Sequence, residues 1–301
     1  MNTLSRRQFA LLAGASLSAG NLARAQKGKL TAGQVVERIQ KNIGAPWPDN
    51  DPTFRDWFKI GGPDQTVTGI ATSFGGNLRV LQLAQKAGLN MVIVHEPTFY
   101  SDADIRHPGT TGGQTECDAA CQADPLFKLK MDWATKNNIV VWRIHDHIHA
   151  RKPDGIKFGW NQAMGWEKYM VDGDLGHWKL PPTTLGELAR YVAKTLNTRS
   201  VRVVGDPNLS VTTVAYGSHG LAQNMTAITS ADCTIVSEAR EYDSFEYARD
   251  TVLSGAKKGV IFISHESGED AGMGWFAEWL KPFVPEVPVR LISTTDEFWT
   301  V

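Results

Sequence analysis

The 301-residue sequence has little cysteine, no excess of one charge and no long, strongly apolar run. Its three cysteines are too few for a disulfide-stapled fold. Cys117 and Cys121 could pair in an oxidising compartment, whereas Cys233 lies in an apolar run and is predicted to be a buried thiol. A formal net charge of −1 with mixed signs provides no basic surface for nucleic acid or an anionic membrane. No stretch supplies the roughly 20 apolar residues of a membrane span, so we expect a globular protein with a small-molecule substrate.

The first 25 residues predict an export signal that is not part of the fold. Residues 5–9 read SRRQF, a twin-arginine signature, and a weakly apolar stretch follows. The triplet ARA then ends at Ala25 and matches a signal cleavage site. We therefore expect export to a bacterial periplasm and a mature chain that starts near Gln26.

Alternating strand and helix patterns predict an α/β protein with two lobes of mixed, mainly parallel sheets. A helix with Thr31 as its N-cap opens the first lobe, and strand and helix patterns alternate as far as residues 139–144. After a change of composition at 172–182, Thr184 and Glu187 form a capping box and a second series follows. The predicted domains are residues 27–175, with an irregular insertion at 101–124, and residues 182–301.

One strand pattern, at residues 139–144, is followed at once by three histidines with a spacing of two. If the chain stays extended, His145, His147 and His149 point to one face. Such a cluster at the carboxyl end of a strand in an open α/β sheet predicts a ligand site. The alternative is a polar strand end whose histidines lie in water.

Two further strand patterns end in the same way and complete a predicted metal centre. Because the combined set mixes imidazole nitrogen with carboxylate oxygen, it suits Zn²⁺, Mn²⁺ or Fe²⁺ and is too rich in nitrogen for Ca²⁺ or Mg²⁺. It also exceeds the needs of one tetrahedral ion, which favours two ions that share a carboxylate. The predicted ligands are His95, Glu96, His147, His149, His265 and Glu269.

Two other residues are predicted to act as acid or base. His145 takes this role, or else it orients a ligand through its far nitrogen. Glu238 ends a strand on the same side and is a candidate general base, although a surface carboxylate is equally compatible with its position. For His265 and Glu269, the alternative is a helix-capping carboxylate beside an unrelated histidine.

Three motifs resemble the dinuclear-metal-centre proteins related to YbgI, also described as Nif-three-like or GTP cyclohydrolase I type 2 homologues. The motifs are GIAT at 69–72 with VIVHEPTF at 92–99, VWRIHDHIH at 141–149, and GVIFISH at 259–265 followed by Glu269. The resemblance runs from about residue 70 to the C-terminus. It implies two α/β lobes, a metal pair in the cleft between them, and a ring-shaped hexamer.

This sequence departs from the family's ligand pattern at two positions. The pattern has a His-His pair after the second strand, an Asp that ends an H-x-x-x-D stretch, and a late H-x-x-x-E. Here Glu96 stands where the second His is usual and His149 stands where the Asp is usual, whereas His95 and the late pair match. The metal's identity therefore stays open, and Glu269, then Glu96, is the candidate bridging carboxylate.

Two classes of function, and a third possibility, follow from these residues. The first is a metal-dependent hydrolase that uses metal-activated water, for which the resemblance allows a cyclohydrolase-like reaction on a nucleotide or heterocycle. The second is a periplasmic metal-binding or metal-delivery protein without turnover. A structural ring with a vestigial site is the third.

Overall fold

The computed structural model is a two-sheet α/β protein and describes residues 29–46, 55–101, 123–199 and 201–293. The predicted signal at residues 1–25, most of the predicted insertion at 101–124, and Cys117 and Cys121 lie outside these ranges. Cys233 is a buried free thiol, as predicted. Within the same ranges, no helix combines the length and the apolar character that a membrane crossing needs.

Ten strands in the described part of the chain form two five-stranded sheets. In chain order they are β1 (Phe58–Ile60), β2 (Ile70–Ser73), β3 (Met91–Val94), β4 (Val140–Arg143), β5 (His177–Thr184), β6 (Arg202–Val204), β7 (Ser210–Gly217), β8 (Cys233–Ser237), β9 (Gly259–Ile263) and β10 (Val289–Leu291). The spatial orders are β1-β4-β3-β2-β10 and β5-β7-β8-β9-β6.

Each sheet has a parallel centre, which confirms the predicted fold class. β10, β2, β3 and β4 are parallel neighbours in the first sheet, as are β7, β8 and β9 in the second. The edge strands β1, β5 and β6 run antiparallel to their neighbours. Every residue of β2, β3, β4, β8 and β9 is buried, which explains why these strands are mainly apolar without an alternating polar face, because both of their faces are covered.

Nine α-helices accompany these strands in the described ranges. They are α1 (Ala32–Asn42), α2 (Leu78–Lys86), α3 (Pro125–Lys136), α4 (Asp146–Ala150), α5 (Gly155–Met164), α6 (Leu185–Thr195), α7 (Leu221–Ser230), α8 (Glu246–Leu253) and α9 (His265–Leu280). Thr31 and Thr184 are the N-caps of α1 and α6, as the sequence predicted, and Thr184 forms the predicted capping box with Glu187. The structure adds a second capping box, between Thr31 and Gln34.

Helix α9 connects the two sheets. It begins where β9 of the second sheet ends, and its later residues Met273, Phe276 and Ala277 belong to the apolar core of the first sheet. Two glycines allow α9 to pack closely on α5, because a Cβ atom added at Gly272 would lie 2.6 Å from the Cα of Ile156, and one added at Gly159 would lie 2.8 Å from the Cα of Gly272.

The last strand differs from the sequence expectation, which placed it in the second lobe at residues 182–301. β10 instead pairs with β2 of the first sheet, with Val289 opposite Ile70. The short apolar pattern of β10 predicts a strand but carries no information about its partner. That choice follows from α9, which takes the chain back across to the first sheet. The lobe boundary near residue 175 stays a prediction.

Candidate metal centre

The candidate centre lies where the ends of three strands and two helices meet. His95 and Glu96 directly follow β3, and α4 follows β4 after two intervening residues. His265 and Glu269 occupy the first turns of α9, directly after β9. Contacts between these groups, which come from both sheets, place their side chains in a single cluster. The residues that the sequence predicted at strand ends therefore do lie close together in the structure.

Residues 146–150 form a helix with His145 as its N-cap, and not the extended chain that the sequence analysis assumed. The carboxylate of Asp56 explains this, because it accepts hydrogen bonds from three successive backbone N–H groups: His145 at 2.5 Å, Asp146 at 3.1 Å and His147 at 3.0 Å. These N–H groups open α4 and would otherwise lack helical partners. Arg55, beside Asp56, also pairs with the Asp146 carboxylate at 3.1 Å.

The helical conformation separates His147 from its neighbours. In a helix, residues four apart share a face, so His145 and His149 point the same way and His147 points elsewhere. The His147 ring is buried, and its Nδ1 hydrogen-bonds the Asp56 carboxylate at 2.6 Å. The prediction that all three rings face one way was therefore wrong, and His147 stabilises the start of α4 away from the other candidate ligands.

Four histidines of the cluster each have Nδ1 fixed by an oxygen atom. Carbonyl and carboxylate oxygens accept hydrogen bonds, so Nδ1 carries the proton and Nε2 is left with a lone pair. Metal-ligating histidines are held in this way. The pairs are His95 with the carbonyl of Ile144 at 3.0 Å, His145 with Asp146 at 2.8 Å, His149 with Asp154 at 2.9 Å, and His265 with Glu238 at 2.6 Å.

The Nε2 atoms of His95, His145 and His265 converge on two carboxylates. Glu269 Oε2 lies 3.2 Å from Nε2 of His95 and 3.1 Å from Nε2 of His265. Glu96 Oε1 lies 3.6 Å from Nε2 of His145 and 3.7 Å from Nε2 of His265. The second oxygen of Glu96 accepts a 2.8 Å hydrogen bond from the buried guanidinium of Arg143.

Three atoms at the middle of this cluster fit a metal site. His95 Nε2, His265 Nε2 and Glu269 Oε2 are buried and have no hydrogen-bond partner among the described residues. With the protons on Nδ1, each contact between Nε2 and Oε2 brings two lone pairs together, which is unfavourable unless a cation or a proton lies between them. The imidazole and carboxylate donors are those of Zn²⁺, Mn²⁺ and Fe²⁺ sites, so the residues fit the ions that the resemblance implies.

The pKa shifts of the protein without bound ions indicate that carboxylates make the centre strongly negative. Burial lowers the pKa of His265, but the hydrogen bond to Glu238 and the negative charge of Glu269 outweigh it and raise that pKa to about 10. Burial likewise lowers the pKa of His95, and the charge of Glu269 reverses the shift upward. Burial raises the pKa of Glu269, but both histidines hold it well below its usual range. Protons therefore occupy in the ion-free protein the place that cations would take.

Three groups of side chains, two of which share His95, could hold a metal ion. Each offers ligand atoms within 4.8 Å of one another, in the combinations His95, His145 and His149; His95, Glu96 and Glu269; and His219, Glu238 and His265. Five of the six predicted ligands thus lie together, all except His147, and His145 joins them as a possible ligand. Glu238 contacts His265 and takes a positive φ of 56°, an uncommon backbone conformation for a residue with a side chain.

The sequence analysis assigned no role to His219. Its ring lies 5.4 Å from that of His265, between centroids. The loop that carries it is fixed by the buried Asn224, whose Oδ1 accepts a hydrogen bond from the backbone N–H of Ser218 at 2.8 Å. A Cβ at Gly217 would lie 2.4 Å from the same oxygen, so this position requires glycine.

Two cavities adjoin the cluster, and His145 and His219 line both. The larger, of 570 Å³, contacts Glu96 and His265. The smaller, of 380 Å³, contacts His149 and Glu269. Both volumes fall within the range of about 300–1,000 Å³ that is typical of small-molecule sites.

Solved structures with low sequence identity share the fold. Staphylococcus aureus protein SA1388 matches with a TM-score of 0.66 and 17% identity over 91% of this chain and 100% of that chain. A Bacillus cereus protein related to NIF3 matches with a TM-score of 0.66 and 13% identity over 91% and 100% of the two chains. The protein ybgI, whose structure is described as of unknown function, matches with a TM-score of 0.61 and 18% identity over 87% and 96%.

The family can be identified from a family model and not from an individual relative. No curated protein sequence matches the chain. The model of Duf34/NIF3 (NGG1p interacting factor 3) matches residues 128–297, more than half of the chain. That range includes His145, His149, His265 and Glu269, and the resemblance to YbgI-related proteins is thereby confirmed. The chain belongs to the Duf34/NIF3 family.

Proposed function

We propose that this protein holds two divalent metal ions at the cluster and acts as a metal-dependent hydrolase. The observation that carries the proposal is a cluster of four Nδ1-anchored histidines, three of which converge on two carboxylates, with unpartnered buried atoms at the middle. The residues that would hold the ions are His95, His145, His149, His265, Glu96 and Glu269. When bound, such ions polarise a carbonyl or phosphoryl group and lower the pKa of water to about 7.

The side chains divide between holding ligands and moving protons. Glu269 lies between His95 and His265 and is the carboxylate best placed to be shared, as the sequence analysis proposed. Glu238 accepts the Nδ1–H of His265 and so fixes the direction of Nε2. Glu238 and His219 are exposed and line the larger cavity, where they can exchange a proton with a bound substrate. In this proposal, His219 replaces His145 as the acid/base imidazole.

The substrate, location and assembly extend the same proposal. A cavity of 570 Å³ admits a nucleotide or heterocycle, and a cyclohydrolase-like ring opening is the narrower form of the reaction. The sequence of residues 1–25 supports twin-arginine export to the periplasm. The resemblance supports a homohexamer, which light scattering on the purified mature chain would test.

The test combines metal analysis with a hydrolysis screen. Protein loaded with Zn²⁺, Mn²⁺ or Fe²⁺ is assayed against phosphoesters, amides and nucleotides, and Glu269→Gln is assayed beside it. We expect two ions per chain in the wild type, turnover of at least one substrate class, and loss of both in the variant. Two bound ions without turnover of any class would contradict the hydrolase.

A second candidate function is metal delivery without turnover. The group of His219, Glu238 and His265 favours it, because two of its members are exposed while His265 also contacts the inner carboxylate Glu269. This arrangement offers ions a path between solvent and the inner cluster. Release of bound ions to a chelator within seconds, together with no turnover, would support delivery over hydrolysis.

A further inference from the structure

The candidate ligands differ in chemical character between the two sides of the centre. On the α4 side, nitrogen atoms of His95, His145 and His149 lie within 4.8 Å of one another. The ring of His95 stacks on that of His145 at 4.7 Å and meets that of His149 edge-on at 4.9 Å, between centroids. This group contains three imidazoles and no carboxylate.

The α9 side is rich in carboxylate. Nε2 of His265 lies 3.1 Å from Glu269 and 3.7 Å from Glu96, and its Nδ1 contacts Glu238 at 2.6 Å. Carboxylates also hold Nδ1 of His145 and His149, so the difference between the two sides lies in the atoms that would face the ions. On the α9 side those atoms are one imidazole nitrogen and the oxygen atoms of Glu269 and Glu96.

Both departures from the family pattern contribute to this difference. His149 stands where the pattern has a carboxylate, which removes negative charge from the α4 side. Glu96 stands where the pattern has a histidine, and it brings an oxygen within reach of His265. The buried guanidinium of Arg143 binds the other oxygen of Glu96 and holds it in place.

We propose that the centre takes two unlike cations, and this inference rests on the two-metal site of the proposed function. A borderline ion such as Zn²⁺ binds at His95, His145 and His149, because imidazole suits zinc. A harder ion such as Mn²⁺ binds at His265, Glu269 and Glu96, because carboxylate oxygen suits manganese. Neither subsite by itself excludes the other ion, but the difference in donors sets the order of preference when both ions compete.

The experiment uses competition between the two ions. The metal-free full-length protein is equilibrated with equal concentrations of Zn²⁺ and Mn²⁺, freed of unbound ions, and analysed for metal content. We expect one equivalent of each ion, and an electron paramagnetic resonance spectrum of a single, uncoupled Mn²⁺. His149→Ala should lose the zinc and keep the manganese. His149→Asp, which restores the family's carboxylate, should exchange part of the zinc for manganese.

His177→Ala is the matched control. His177 makes the same kind of Nδ1 contact, with Asp174 at 2.6 Å, but it is exposed and lies outside the cluster. This variant should keep one equivalent of each ion, so that the loss in His149→Ala reports the site and not the removal of any histidine. Circular dichroism of each variant checks that it has folded.

The outcomes separate this inference from the proposed function. Two equivalents of zinc without manganese, or a folded His149→Ala protein that keeps both ions, would overturn the unlike pair. Hydrolysis by such a two-zinc protein would leave the proposed function standing. Mixed loading without any turnover would support the unlike pair and reject the hydrolase. A wild-type protein that binds neither ion would overturn both.

Discussion

Asp56 holds the helix that carries two candidate ligands, and Asp56→Asn tests how much the centre depends on it. Its Oδ2 atom accepts hydrogen bonds from the backbone N–H and from Nδ1 of His147, at 3.0 and 2.6 Å. The asparagine amide can supply one oxygen but must replace the other with an NH₂ donor. Two donors of His147 then face a third donor in a buried environment.

The size of the effect follows from these contacts. Hydrogen bonds to charged groups contribute about 1.5–3 kcal/mol each, and buried donors without partners cost a similar amount. With two such bonds lost, we expect the free energy of unfolding of the metal-free protein to fall by about 3 kcal/mol or more. Because α4 carries His145 and His149, metal affinity should fall as well, even in buffer where the variant remains folded.

The assay is denaturant unfolding followed by circular dichroism, with Asp174→Asn as the matched control. Asp174 also accepts hydrogen bonds from a backbone N–H group, that of Gly176, and from a histidine Nδ1, that of His177, but its side chain is 55% exposed. Solvent screens such a pair, and we expect a loss of less than about 1 kcal/mol. Equal losses in the two variants would refute the role assigned to Asp56.

Three further predictions test the centre and the helix packing. Glu238→Gln should weaken metal binding by about 10- to 100-fold in a chelator competition, because it removes the carboxylate that orients His265, and unchanged affinity would contradict that role. Since the pKa of His265 is raised to about 10 in the ion-free protein, Zn²⁺ binding at neutral pH must displace its proton. The apparent affinity for Zn²⁺ should therefore rise as the pH is raised towards 10. Calorimetry in buffers of different ionisation enthalpy should detect the released proton, and an equal heat of Zn²⁺ binding in all buffers would argue against its displacement. Gly272→Ala should destabilise the fold by about 1–3 kcal/mol, because its new Cβ would lie 2.6 Å from the Cα of Ile156. Gly274→Ala is the control and should cost much less, because the nearest contact of its Cβ is at 3.4 Å. Equal shifts of the melting temperature in the two variants would contradict this account.

Local sequence patterns were sufficient to predict where several residues of the candidate site lie in the fold. Apolar runs predicted β3, β4 and β9 as buried strands. The polar residues that follow β3 and β9 lie in the cluster, as predicted; they are His95, Glu96, His265 and Glu269. Side chains at strand ends converge because parallel strands of a sheet end at the same edge. The N-cap at Thr31 and the capping box at Thr184 were equally predictable, since all of their contacts lie within four residues.

The errors arose where a distant contact overrides the local pattern. Residues 145–149 continue a strand in sequence, but Asp56 lies 89 positions before His145 and satisfies the N–H groups that open a helix there. That change of conformation turned His147 away from His145 and His149, which share a face in either conformation. The contact between Glu238 and His265, like the pairing of β10 with β2, joins two separate segments of the chain. No short sequence pattern predicts such a contact.

The sequence by itself thus determined which segments are buried and which of them end in candidate metal ligands, because burial and capping depend on neighbours along the chain. Only the tertiary structure decided which nitrogen atoms face one another. A one-residue difference in spacing means opposite faces in a strand but about a quarter-turn in a helix, so the direction of each imidazole depends on a conformational choice made by distant partners.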